Sequence, residues 1–190
     1  MCAQLREWLA TDFGTWCCEP GYSAVPRRLL VEPLLTHQSG FPLEYKFFVF
    51  DGVARTVMLR ANYGDRPHER IQAYYDMQWR QLPVRTSDMP YSSPASRPPE
   101  FDAMRVMAER LAGRRDHMRV DFLVSDGRVF VGELTGYHRS GLFCFQPDAQ
   151  DFVFGEWWPL RRPMLRAFLT IIACDWGIKK PMDDTPFPSC

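Results

Sequence analysis

The stretch Met118–Gly136, MRVDFLVSDGRVFVGELTG, constrains the fold more than any other part of the chain. Val120, Phe122 and Val124 alternate with Arg119, Asp121 and Leu123. After Ser125-Asp126-Gly127, Phe130 and Leu134 alternate with Val131, Glu133 and Thr135, the pattern of a β-hairpin. Loop length decides which side chains share a face. A two-residue Asp-Gly loop would pair Asp121 with Gly132 and put the two carboxylates on opposite faces. A three-residue loop with an αL glycine pairs Asp121 with Val131 and Arg119 with Glu133. The second register sorts polar from apolar better and is the one expected. Arg119, Asp121, Glu133 and Thr135 then lie on one face, with Met118, Val120, Phe122, Gly132 and Leu134 on the other.

Two carboxylates at diagonal cross-strand spacing, roughly 7–8 Å apart at the backbone, can reach one or two hard cations. Magnesium takes such oxygen ligands and leaves room for phosphates. An arginine beside them suits a transferring phosphoryl group, because its planar fork matches phosphate oxygens. The plainer alternative is a surface hairpin whose Arg119–Glu133 ion pair contributes under about 1 kcal/mol.

A chain of 190 residues suits one domain with a real core. Lys+Arg and Asp+Glu both number 23, so no overall field selects nucleic acid or an anionic membrane as partner. The apolar run Phe168–Cys174 is too short to span a bilayer, and Arg6 and Glu7 occupy the place of a signal peptide's apolar region. These features predict a cytoplasmic protein without a membrane span. Cys2, Cys17, Cys18, Cys144, Cys174 and Cys190 show no C-x-x-C spacing and read as reduced thiols rather than a zinc site. His37, His68, His117 and His138 are dispersed. His117 and His138 fall close enough to the hairpin's polar face to touch a substrate, although a structural role is the simpler expectation.

Leu5–Thr11 is expected to be a short helix with Trp8, Leu9 and Phe13 on its buried side. Arg27–Leu35, RRLLVEPLL, reads as a strand-like run; Pro33 lacks an N–H and confines it to an edge or a hinge. Glu44–Arg60 is a second hairpin turning at Asp51-Gly52, with Glu44, Lys46, Phe48 and Phe50 on one face and Tyr45, Phe47 and Val49 on the other. Ala61–Val84 is polar with interspersed aromatics, and Arg85–Glu100 is a Pro/Ser-rich connection. Phe101–Arg114 carries Met104, Met107, Ala108 and Leu111 at helical spacing, capped by Glu100 or Asp102 and stopped at Gly113. Ser140-Gly141 is too short to define a phosphate loop. A last helix is expected over about Pro163–Trp176, then a loose tail.

Three segments, RRLLVEPLL, LEYKFFVFDG and MRVDFLVSDGRVFVGELTGYHRSG, together with Tyr75-Asp76, Trp79 and the opening REWLATDF, resemble the TupA-like branch of the ATP-grasp proteins. That branch is associated with teichuronopeptide and other cell-surface polysaccharide biosynthesis. The resemblance runs from about Leu5 to Leu160. It implies an α+β fold, an antiparallel β-sheet with packed helices, corresponding to the C-terminal portion of an ATP-grasp domain without its N-terminal half. Residues 1–178 would form this partial domain, hinge and C-terminal subdomain, and 179–190 a proline-rich tail.

The resemblance also implies roles. Asp121 and Glu133 match the residues that hold Mg²⁺ bridging the phosphates of ATP. Arg119 matches the one that steadies the transferring phosphoryl group. Thr135 stands where many relatives carry a metal-ligating asparagine; its hydroxyl is a shorter, poorer ligand. Glu32 matches the hinge acid facing adenine, with the Pro33 carbonyl and the Leu35 N–H presented to the adenine edge. Glu44 matches an acid that meets the ribose hydroxyls, and Lys46, two residues on, can approach nucleotide or substrate.

The implied activity is ATP- and Mg²⁺-dependent carboxylate activation followed by amide formation on a small-molecule or uronic-acid polymer substrate. The family's glycine-rich loop and phosphate-binding lysine precede the hinge, and no G-x-G-x-x-G or G-x-x-x-x-G-K stands upstream here. A truncated chain, a partner supplying the other half, or lost ATP binding would each account for that. Apolar surface on the Glu44–Arg60 hairpin would then favour self-association. The alternatives are a non-catalytic ATP-grasp remnant acting as a binding module and a polysaccharide glycosyltransferase.

Overall fold

Two Asp-Gly turns generate the sheet. The computed structural model describes residues 2–16, 19–35, 42–62, 70–86, 94–142 and 144–158. Leu43–Phe50 (β1) and Val53–Asn62 (β2) flank the first turn, and His117–Ser125 (β5) and Arg128–Thr135 (β6) the second. Asp51 and Gly52 have φ of 48° and 81°, and Asp126 and Gly127 of 50° and 71°. Positive φ at both central residues marks the type I′ turn, whose twist matches that of paired strands. Arg70–Asp76 (β3), in a segment with no strand expected, completes a five-stranded antiparallel sheet of order β3-β2-β1-β5-β6.

The second hairpin corrects the expected register. The loop has two residues, and Ser125 pairs with Arg128, Val124 with Val129 and Phe122 with Val131. A bulge then inserts Gly132, so that Asp121 opposes Glu133 and Arg119 opposes Thr135. The expected pairs Asp121–Val131 and Arg119–Glu133 do not form. Because a one-residue slip exchanges faces, the inserted glycine returns Glu133 to the face of Asp121 that the short loop alone would have denied it. The first hairpin has a similar bulge, where Phe48 opposes Thr56 and Val49 opposes Ala54.

One face of the sheet carries Tyr45, Phe47, Val49, Val57, Leu59, Tyr75, Val120 and Phe122, all buried. The helix Phe101–Ala112 (α4) covers it with Phe101, Met104, Ala108 and Ala112. Gly113 ends α4 at φ 59°, its N–H donating to the Glu109 carbonyl. Neither expected cap operates: Glu100 makes no side-chain cap bond, and Asp102 pairs with Arg97 at 2.7 Å. Burying a single leucine- or phenylalanine-sized side chain contributes about 1.5–3 kcal/mol, and each large residue of this layer stabilises the unit on that scale. The opposite face is shared. Phe48, Phe50, Met58, Tyr74, Val84, Phe145 and Phe154 form a second apolar cluster. It lies under the helix Ala149–Glu156 (α5) and the small ladder of Arg85–Thr86 (β4) with Phe145–Gln146 (β7). The rest of that face is polar.

The N-terminal expectations fare less well. Cys2–Ala10 (α1) is helical, but Trp8 and Leu9 are exposed instead of buried. Phe13–Trp16 (α2) and Pro20–Ser23 (α3) follow. Residues 26–35 form no strand among the described residues, and Leu29, Leu30, Val31 and Leu34 are exposed, Val31 at 93%. Among the described residues no partner strand lies against this run, so its apolar character finds no ladder there to join. The helix expected at Pro163–Trp176 and the tail lie outside the described residues. Among those described, no helix is long and apolar enough to cross a membrane.

The two turn glycines make a matched test. A Cβ on Gly52 would sit 2.8 Å from the Gly113 carbonyl oxygen, whereas one on Gly127 would meet only Glu100 Oε1 at 3.9 Å. Gly127→Ala should cost about 1–2 kcal/mol for its left-handed backbone. Gly52→Ala should cost clearly more in urea unfolding, because the α4 C-terminus must also shift. Equal losses would show that this contact relaxes freely.

Candidate functional site

The register on the polar face brings together residues from three neighbouring strands. Lys46 on β1 lies directly opposite Asp121 on β5, which lies opposite Glu133 on β6. Arg119 and Thr135 form the next row on the same face, and Glu44 stands two residues before Lys46. Acid and base alternate along β1 (Glu44, Lys46) and along β5 (Arg119, Asp121), while the two acids Asp121 and Glu133 stand side by side across the β5–β6 pair.

The bonds follow that layout. Lys46 Nζ donates to Asp121 Oδ2 at 2.5 Å and to Glu44 Oε1 at 2.7 Å. Arg119 clasps Asp121 with both arms of its fork, Nε to Oδ1 at 2.8 Å and Nη2 to Oδ2 at 2.9 Å. The same Nη2 reaches Glu133 Oε2 at 2.9 Å, and Thr135 Oγ1 donates to Glu133 Oε1 at 2.6 Å. Arg60 approaches the far oxygen of Glu44 at 4.0 Å. Asp121 is 1% exposed, Lys46 4% and Arg119 7%. A carboxylate buried that deeply is tolerable only because two cations and three hydrogen bonds replace its water.

Burial pushes the Asp121 carboxyl above its ordinary 3.8, against the pull of Arg119 and Lys46. Burial also acts upward on Glu133. There the Thr135 hydroxyl, Arg119 and Lys46 prevail, and its carboxyl falls below 4.5. Burial would lower the Arg119 guanidinium, but its bond to Asp121 and the charges of Asp121 and Glu133 hold it above the ordinary arginine value.

Two histidines border the cluster. His138, from the turn His138–Gly141 after β6, accepts from Arg119 Nη1 through Nδ1 at 2.6 Å. Burial, reinforced by Arg119, pushes its pKa down to about 3, so it is neutral. His117 packs between Phe50 and Trp158, each 4.7 Å away, and burial takes it to about 4.

Of the residues singled out from sequence, Arg119, Asp121, Glu133, Thr135, Glu44 and Lys46 are brought together. Glu32, Pro33 and Leu35 are not; they lie on the extended run 26–35, with no hydrogen bond to the cluster among the described residues. Two contacts escaped sequence reasoning. The Lys46–Asp121 bond needs the pairing of β1 with β5, which no local pattern encodes. The Arg119–His138 bond needs the turn after β6; the only available signal was a histidine three residues beyond Thr135.

The donor chemistry suits a hard cation in part. Asp121, Glu133 and the Thr135 hydroxyl offer oxygens only, the set magnesium takes when phosphates and water complete its shell. Among the described residues no group of three or more His, Cys, Asp and Glu is placed to hold a metal by itself. An ionised carboxylate has about four acceptor positions; Asp121 uses three of its own and Glu133 two. Glu133, half exposed, is therefore the open ligand and Asp121 the buried one.

A mixed α+β unit with this antiparallel sheet is consistent with a partial ATP-grasp fold. A family model described as TupA-like ATPgrasp matches residues 4–158, and the chain belongs to that family. No curated protein and no solved structure matches it.

Glu133 makes the electrostatics measurable. Its folded-state pKa lies below the unfolded value, so its stabilising contribution is present above about pH 4.3 and is lost as pH falls through the lower folded value. Thr135→Val removes one bond to the charged form. The Glu133 carboxyl midpoint, followed by carbon-13 NMR, should then rise toward 4.5. An unmoved midpoint would show that Arg119 alone sets it.

Proposed function

We propose that this chain takes part in ATP- and Mg²⁺-dependent activation of a carboxylate, followed by amide formation, in the biosynthesis of a cell-surface polysaccharide. The observation that carries the reading is the row Lys46–Asp121–Glu133 with Arg119 beside it. Two acids and two bases share one face of the sheet, in a chain of the ATP-grasp family.

Asp121 and Glu133 would hold the magnesium, which supplies neutralisation of the phosphate charge when bound. Arg119 and Lys46 are cations that can exchange part of their carboxylate pairing for phosphate oxygens. Glu44 offers acceptors to the ribose hydroxyls. The exposed run 26–35 leaves the Glu32 side chain, the Pro33 carbonyl and the Leu35 N–H to serve the adenine edge. A substrate carboxylate oxygen attacks the γ-phosphorus, the bond to ADP breaks, and an acyl phosphate forms. An amine then attacks the acyl carbon, phosphate departs, and the amine gives up its proton. Fixing groups in place and matching developing charge provide most of the rate in such transfers. The substrate class is a uronic-acid polymer or an amino acid, and the compartment is the cytoplasm, where ATP is supplied.

The chain's melting temperature should rise with Mg²⁺ and a non-hydrolysable ATP analogue. At a hundredfold excess over Kd the linkage gives about 2.7 kcal/mol, or roughly 5–10 °C for a unit of this size. Glu133→Gln, chosen because the side chain is half exposed, should abolish the magnesium-dependent part. A shift independent of magnesium, or none in the wild type, would favour a binding module without turnover. A requirement for a nucleotide-sugar in ADP release assays would favour a glycosyltransferase.

A further inference from the structure

Arg119 is held from three sides, and only two of the holders are acids. Nε and Nη2 are committed to Asp121 and Glu133, whereas Nη1 donates to His138 Nδ1 at 2.6 Å. A third carboxylate in that place would have over-neutralised the guanidinium and competed with an incoming anion. A neutral imidazole fixes the rotamer without adding charge. We propose that His138 is a positioning residue that fixes the Arg119 guanidinium, through an Nδ1 acceptor, in the orientation from which it meets a phosphoryl group. The inference rests on the functional reading above for the phosphoryl group, but not for the bond itself.

The segment bearing His138 is built to keep it there. The Gly136 N–H donates to the Tyr22 hydroxyl at 2.8 Å, and the Gly21 N–H to the Tyr137 hydroxyl at 3.2 Å. The two tyrosine rings meet edge to face at 5.4 Å. Ser140 Oγ donates to Glu19 Oε1 at 3.1 Å. Arg139 and Ser140 adopt left-handed φ of 49° and 56°, a conformation that non-glycine residues keep only when their surroundings enforce it. The imidazole itself stands edge-on to Phe48 at 5.0 Å. Helix α3 and the Glu19 before it thus brace the turn, and the turn aims the ring. Since arginine nitrogens only donate, the bond also assigns the tautomer: Nδ1 bare, Nε2 protonated.

Nitrogen-15 NMR of the wild-type protein tests the tautomer without any substitution. The expected spectrum shows His138 with Nε2–H and an accepting Nδ1; an Nδ1–H tautomer would overturn the proposal. His138→Phe keeps a ring against Phe48 but removes the acceptor, and His138→Asn restores an acceptor oxygen. Slowed rotation of the Arg119 guanidinium should be lost in His138→Phe and recovered in His138→Asn. Affinity for Mg²⁺ with the non-hydrolysable ATP analogue should fall about tenfold in the first, the scale on which outer-shell partners act, and return in the second. Arg119 signals indifferent to both variants would overturn the proposal. So would unchanged nucleotide affinity in His138→Phe when the wild type binds. Absence of nucleotide binding in the wild type would instead remove the ligase reading, while the Arg119 signals still decided this one.

Discussion

Asp121 sits almost entirely out of water between a lysine and an arginine, and the architecture of the polar face depends on that arrangement. Removing one partner from a buried pair of this kind costs about 3–5 kcal/mol, since the remaining charge is stranded. Two unit charges about 4 Å apart attract by about 4 kcal/mol at the effective dielectric near a protein surface. That is enough to hold two long side chains in single rotamers. Glu44, Arg119 and Glu133 are then placed by their bonds to this centre. Because Lys46, Asp121 and Glu133 come from three adjacent strands, the network also registers β1, β5 and β6 against one another.

The hairpins were legible because Asp-Gly demands positive φ at two successive positions and hydrophobic alternation flanks both pairs. The face assignment of β1, with Tyr45, Phe47 and Val49 opposite Phe48 and Phe50, followed from alternation alone and holds in the structure. Register was not legible. A bulge at Gly132 changes the pairing by one residue, and a sequence gives no count of inserted residues. The expected grouping of the acids survived because the bulge at Gly132 offsets the two-residue loop and returns Glu133 to the face of Asp121. β3 was hidden in a segment read only as polar with aromatics, although Tyr75 stacks on Trp79 at 4.2 Å and buries fully. Helix α4 declared itself through the spacing of Met104, Met107, Ala108 and Leu111, although Leu111 is exposed and Phe101 and Ala112 complete the buried stripe. Helix α5, with Phe154 alone buried, carried no such stripe.

The apolar run at 26–35 shows where composition misleads. RRLLVEPLL has the residues of a strand, yet a strand is defined by its neighbour, and none is present among the described residues. The sheet edge at β6 shows the reverse. Val131 and Leu134 are exposed there although alternation gives them to one face or the other. In this chain of the TupA-like ATP-grasp family, acids and cations share the polar face of the sheet. Bonds from Arg119 and Thr135 leave acceptor capacity on Glu133.

The reciprocal tyrosine bonds between the chain's beginning and the turn after β6 bridge 114 and 116 positions of sequence. Closing so large a loop is entropically unfavourable until both anchor points exist, and one of them is the completed second hairpin. On that ground the opening segment is expected to dock after the sheet has formed. In kinetic terms, weakening Tyr22 or Tyr137 would speed unraveling while leaving the rate of sheet assembly nearly untouched.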